Sequence, residues 1–293
     1  MNALVQTEPR ARLVPLPTRD GAMSLLDFGP PDRPVDIVFS HANGFNARTY
    51  RSILAPLAAD LRILALDLRG HGASTLSTVI EGRDGWAQFR EDLLALLAAE
   101  TDAPVILAGH SMGGTSSLLA AAAQPHRVRA LALFDPVVMG PGVVSPAGPE
   151  NSLAQGADRR RANFPDKAAA LAAYTGRGGF RTWSAEQLAD YVEAGFRPTP
   201  DGEVTLTCAP AWEASNFRTH NYDPFAAFRA TRCPIRILRA EHASTCRIDP
   251  IEAELTATRR ITVETIAGTS HFLPMERPDL VRAALAELTA PPR

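Results

Sequence analysis

Residues 109 to 113 read Gly-His-Ser-Met-Gly, a serine with a glycine two places to either side. An apolar run, PVILAG, leads into it and a small-residue run, MGGTSSLLAAAAQ, leads away. That context suits a strand-to-helix turn so tight that the serine is strained and its neighbours must lack bulk. Such a turn lifts the Ser111 hydroxyl above a sheet, and the start of the helix offers N–H groups and a positive dipole end to an anion. Ser111 is therefore the candidate nucleophile and the Met112 N–H the first candidate oxyanion donor. The bland alternative is a polar residue in a glycine-rich turn, and the flanking strand and helix patterns argue against it.

A serine hydroxyl attacks well at neutral pH only when a base takes its proton, and seven histidines compete for that role. His271, between the last predicted strand and the final predicted helix, is one candidate base. The others have simpler readings: His110 packs against the core, His71 makes a structural hydrogen bond in the RGHG turn, and His41 braces a loop. His126 and His220 read as helix-end and loop residues.

The elements that must hold these residues are legible as an alternation. Strands are predicted at 12–18, 22–29, 35–42, 61–68, 104–109, 128–135, 233–240 and 261–268, with Asp20 and Gly21 turning the first pair. Helices are predicted around Thr49 to Leu57, over 86–99 from an apolar stripe, after Ser111 up to Pro125, and from Pro278 onward. Apolar strands alternating with helices imply a mainly parallel sheet covered on both faces. Between 137 and 230 the pattern breaks into a Pro/Gly-rich exit, 139–150, and short amphipathic helices such as 184–196, which reads as an insertion into a core of 1–136 and 231–293.

Bulk properties narrow the function classes. The chain has 293 residues, 45% apolar and 21% charged, with a net charge of −2. That balance offers no broad attraction to nucleic acid or anionic lipid, and a small-molecule partner is expected instead. No long apolar run suggests a membrane span or a secretory signal, and Cys208, Cys233 and Cys246 form no CxxC pair. A cytoplasmic protein without a metal or organic cofactor is the expectation, and a homo-oligomer stays open.

Four motifs in order, SHANGF (40–45), DLRGHGAS (67–74), GHSMGG (109–114) and TSHFLPMERPD (269–279), resemble the α/β-hydrolase superfamily of lipases, esterases and bacterial small-molecule hydrolases. The resemblance covers nearly the whole chain. It implies an α/β-hydrolase fold with a mostly parallel eight-stranded sheet, helices on both faces, and the 137–230 insertion as a helical cap over the serine. It places His271 as the base in the chain order serine, acid, histidine. It also makes the backbone N–H of Asn43 the second oxyanion donor, although Ala42 stands where the family usually has glycine. Asn43 also resembles the halide-binding asparagine of haloalkane dehalogenases, but those enzymes need an aspartate nucleophile, which Ser111 cannot replace.

The family's acid usually follows the strand that corresponds here to PIRILRA. This sequence continues AEHASTCR, with Ala243 and Ser244 where the aspartate is expected. Asp135, at the end of VRALALFD, is the preferred acid because some superfamily members carry theirs one strand earlier. Glu241 is the alternative, with Asp249 or no acid at all behind it. For Asp135 the competing reading is a turn residue in an Asp-Pro pair.

The insertion carries Phe164, Tyr174, Phe180, Trp183, Tyr191, Phe196, Trp212, Phe217 and Tyr222, of which a minority should touch substrate. Glu213 is assigned no role. The resulting reading is a serine hydrolase of small or medium carboxylic esters working through an acyl-enzyme. A carbon–carbon bond hydrolase or cofactor-free perhydrolase would use the same triad, and a non-catalytic ligand-binding protein could keep the same scaffold.

Overall fold

A computed structural model describes residues 8–83, 85–139, 151–219 and 221–290. His220 and positions 140–150 of the Pro/Gly-rich exit lie outside the described residues.

The chain opens with β1 (Arg10–Leu16) and β2 (Gly21–Phe28), then β3 (Ile37–Ser40), α1 (Arg51–Leu54), β4 (Ile63–Leu66), α2 (Ala87–Glu100), β5 (Val105–His110), α3 (Met112–Ala123) and β6 (Val128–Phe134). The segment that follows holds α4 (Ser152–Asp158), β7 (Asn163–Phe164), α5 (Lys167–Tyr174), α6 (Ala185–Gly195), β8 (Phe196–Pro198), β9 (Val204–Leu206), α7 (Pro210–Arg218) and α8 (Pro224–Ala230). The chain returns through β10 (Ile235–Ala240), α9 (Glu252–Ala257), β11 (Ile261–Ile266), α10 (Leu273–Glu276) and α11 (Pro278–Thr289).

Eight strands form one sheet in the order β1-β2-β4-β3-β5-β6-β10-β11. In this sheet the β1–β2 and β2–β4 pairings are antiparallel, and the pairings along β4-β3-β5-β6-β10-β11 are parallel. The expected mostly parallel eight-stranded α/β-hydrolase sheet is what the chain builds. Strands β3, β4 and β5 are buried along their whole length, as two-sided coverage requires, and so carry apolar runs rather than alternation. The β1–β2 turn works as expected, with Asp20 (φ 56°) and Gly21 (φ 148°) taking the positive φ values.

One difference lies between β6 and β10. Besides helices, this segment contains a small sheet in the order β7-β9-β8. Its strands have two or three residues, too few to show a period-2 pattern in the sequence. Phe164, Trp183, Tyr191 and Phe196 from this segment join one apolar cluster with Phe39, Tyr50 and Phe134 from earlier in the chain. Polar ties run across the same boundary: Arg51 pairs with Asp190 at 2.9 Å, and Trp212 Nε1 donates to the Arg69 carbonyl at 3.0 Å. Helix α8 instead packs Phe225 and Phe228 into the cluster that holds α3 residues Leu118 and Ala121.

Candidate active site

Ser111 sits between β5 and α3 with φ 53° and ψ −122°, a conformation that L residues avoid and that a sharp elbow imposes. The flanking glycines are required sterically. A Cβ at Gly113 would lie 2.2 Å from the Ser40 carbonyl oxygen, and one at Gly109 would lie 2.5 Å from the Gly113 carbonyl carbon. Gly113 therefore lets the start of α3 approach the end of β3, bringing Met112 and Asn43 to the same cavity as Ser111.

His271 reaches this elbow from the loop between β11 and α10. Its Nε2 lies 3.0 Å from Ser111 Oγ and its Nδ1 lies 2.6 Å from Asp135 Oδ2. With a proton on Nδ1 donated to the carboxylate, Nε2 is free to accept the serine proton. Ser111, His271 and Asp135 are thus brought together. Glu241 is not: its side chain is 46% exposed, accepts the Gly268 N–H at 2.8 Å and lies beside His242. Asp249, exposed in the turn before α9, pairs with Arg239.

Asp135 is fully buried at the end of β6 and takes φ 42°. Its Oδ1 accepts from the Ala240 N–H at 2.9 Å and from Ser244 Oγ at 2.5 Å; its Oδ2 also accepts from the Thr245 N–H at 3.0 Å. Burial works against the charged carboxylate, but the bonds from His271, Ser244 and the Ala240 N–H together outweigh it and hold Asp135 below the usual aspartate range. The segment with no aspartate at 243 and 244 thus supplies donors to a carboxylate on the neighbouring strand.

Two buried histidines hold the loop that carries Asn43. The Leu68 N–H donates to His41 Nε2 at 2.9 Å, while His41 Nδ1 donates to the Ala42 carbonyl at 2.7 Å. The Gly44 N–H donates to His71 Nε2 at 3.0 Å, and His71 Nδ1 donates to the Arg69 carbonyl. Arg69 is itself anchored by two bonds to buried Asp92. Burial pushes His41 down to about 4 and drives His71 well below the ordinary histidine value, so both rings stay neutral and serve as acceptors.

His110 does more than pack. The Ala42 N–H donates to Tyr50 Oη at 3.2 Å, the Tyr50 hydroxyl donates to His110 Nδ1 at 2.8 Å, and His110 Nε2 donates to the His271 carbonyl at 2.7 Å. This chain ties the Asn43 loop to the His271 loop. Burial, then the neighbouring His271, pushes His110 down to about 3. Its place directly before Ser111 was the available signal, but its partners are too distant in sequence to be read.

The cavity above Ser111 measures about 210 Å³. Apolar side chains dominate its walls, including Phe45, Trp86, Val137, Leu153, Phe217 and Phe272. Of the nine aromatics singled out between 137 and 230, Phe217 alone lines it; Tyr174, Phe180, Trp183 and Tyr191 pack in tilted or edge-to-face contacts among themselves, the last two also edge-to-face against Phe45. Phe45, Trp86 and Phe272 were not singled out by the sequence. Among the described residues, no helix is long and apolar enough to cross a membrane.

A model described as "Alpha/beta hydrolase family" matches residues 37–284. Over 250 residues, 85% of this chain and 86% of the relative, the sequence is 24% identical to the 2-(acetamidomethylene)succinate hydrolase of Mesorhizobium japonicum. The crystal structure of an E-2-(acetamidomethylene)succinate hydrolase is similar with a TM-score of 0.80 at 22% identity, covering 96% of this chain and 98% of that one. An esterase of M. tuberculosis is similar with a TM-score of 0.72 at 22% identity, covering 97% and 93%. At these identities the structural likeness speaks for the fold alone.

Proposed function

Starting from the fact that this chain belongs to the alpha/beta hydrolase family, we propose that it is a serine hydrolase cleaving a small or medium carboxylic ester through an acyl-enzyme. The observation that carries the reading is His271, whose two ring nitrogens lie 3.0 Å from Ser111 Oγ and 2.6 Å from Asp135 Oδ2. In this reading Nε2 takes the serine proton as Oγ attacks the carbonyl carbon, and Asp135 stabilises the imidazolium. The N–H groups of Asn43 and Met112 hold the oxyanion. His271 then gives the proton to the leaving alcohol, and a water, activated by the same nitrogen, releases the acid.

The cavity supports the size of the acyl group. At about 210 Å³ it is smaller than the roughly 300–1,000 Å³ of sites for drug-sized ligands, and its apolar walls favour an uncharged chain. The segment 137–230 is taken as the cap that closes it, because Glu213 and Phe217 of α7 form part of its wall. The substrate in the relative's name, a succinate, would bring carboxylates. Among the described residues this cavity is lined by a carboxylate, Glu213, and by no lysine or arginine, so that substrate is not carried over.

A panel of p-nitrophenyl esters from acetate to decanoate, run on wild type and Ser111→Ala, tests the reading. The expected result is a maximum at short or medium chains that disappears in the variant. A flat response independent of Ser111 overturns it.

A further inference from the structure

Glu213 lines the cavity above Ser111, yet the reaction just described gives it nothing to do. Its side chain is only 9% exposed. One oxygen, Oε2, accepts from Arg160 Nη1 at 2.5 Å, and Arg160 Nη2 donates to the Tyr191 hydroxyl at 2.6 Å. The main-chain carbonyl of Glu213 accepts from Asn43 Nδ2 at 3.0 Å. The other oxygen, Oε1, sits against the bare Cα of Gly44, where a Cβ would lie 2.5 Å from it. No described residue donates a hydrogen bond to Oε1.

A buried ion pair contributes little to stability once desolvation is counted, so bracing the fold is a weak reason for this one. Glu213 stands in the wall of an apolar cavity, and its unbonded oxygen lies against Gly44, next to the residue whose N–H is read as an oxyanion donor. Arg160 compensates the charge, so the pair has no net attraction for an ion of either sign. What remains is one carboxylate oxygen able to accept from an uncharged donor. We infer that Glu213 is a specificity-determining residue that accepts a hydrogen bond from an O–H or N–H on the substrate, selecting uncharged acyl groups that carry such a donor near the scissile carbonyl. This inference rests on the esterase reading and adds the substrate class to it.

The test compares kcat/KM for p-nitrophenyl 3-hydroxybutyrate and p-nitrophenyl 3-methylbutyrate, which differ by hydroxyl for methyl at nearly constant shape. A hydrogen bond to a charged group predicts that wild type prefers the hydroxy ester by about 10-fold or more. Glu213→Gln should reduce the preference. The double variant Glu213→Met/Arg160→Met, which leaves no unpaired buried charge, should bring it to about 1 or below, since a hydroxyl without a partner is disfavoured in an apolar site. Each ratio is taken within one preparation and is unaffected by the fraction folded. Equal wild-type turnover of the two esters, or a preference unchanged in the double variant, overturns the inference while leaving the esterase reading intact. Failure of wild type to hydrolyse either ester in a Ser111-dependent way removes both.

Discussion

Replacing Asp135 by asparagine has a consequence that can be worked out atom by atom. Both carboxylate oxygens face backbone donors, Oδ1 the Ala240 N–H at 2.9 Å and Oδ2 the Thr245 N–H at 3.0 Å. An asparagine amide must therefore point its NH₂ at one of them. Turned toward Thr245, the NH₂ also faces His271 Nδ1, which must then accept; the ring proton moves to Nε2, where it blocks removal of the serine proton. Turned toward Ala240, it preserves the tautomer but removes the charge that stabilises the imidazolium. By analogy with the same change in a serine protease, the first outcome costs about 10⁴-fold in kcat, or about 5.5 kcal/mol. Either way one buried N–H loses its acceptor, at about 1–3 kcal/mol of stability. The assay is kcat and KM on a p-nitrophenyl ester for Asp135→Asn and Glu241→Gln, with urea unfolding of each. Glu241→Gln should stay within a few-fold of wild type. If Asp135→Asn kept more than about a tenth of wild-type activity while Glu241→Gln lost several orders of magnitude, the reasoning would be refuted.

Tyr50→Phe removes the acceptor of the Ala42 N–H and the donor to His110 Nδ1 together, so kcat should fall about 10-fold with KM little changed; a loss of stability with kcat intact would make the chain merely structural. Gly113→Ala drives a methyl group onto the Ser40 and His41 carbonyls and should cost at least about 2 kcal/mol, whereas Gly156→Ala, in open space within α4, should stabilise by about 0.5–1 kcal/mol; urea midpoints that fail to separate the two contradict the elbow geometry. Burial holds His41 at about 4 and His110 at about 3, below the ordinary value of about 6.5 in the unfolded chain. On acidification the unfolded chain takes up protons that the fold refuses, so stability falls as pH drops from about 6.5 toward 4, at up to about 1.4 kcal/mol per pH unit for each histidine. Urea midpoints at pH 7, 6 and 5 should follow that slope and flatten in His110→Gln; a rise in stability on acidification contradicts the neutral rings.

The elbow was legible because its chemistry is local. Gly109, Ser111 and Gly113 lie within five residues, and each of the two glycines is fixed by a contact that no side chain permits. The parallel sheet was legible for the same reason, since buried strands such as Ile63–Leu66 carry their own apolar runs. What holds Asp135 was not. Its donors at 240, 244 and 245 are about a hundred residues away in sequence and become neighbours because β6 and β10 pair, with Phe134 opposite Leu238. The sequence could note that positions 243 and 244 lack an aspartate, but not that Ser244 would turn toward one on the next strand. Glu213 was hidden in the same way, because its ion pair with Arg160 and its packing on Gly44 join residues 53 and 169 positions apart in sequence.

The central claim is that Ser111 is a nucleophile activated by His271. The most direct measurement is labelling with a fluorophosphonate ester followed by mass spectrometry of the peptide containing residue 111. One adduct per chain on Ser111 in wild type, with none in Ser111→Ala and much slower labelling in His271→Gln, is the predicted result. Folded wild-type protein that takes no label, or takes it equally well in Ser111→Ala, contradicts the account.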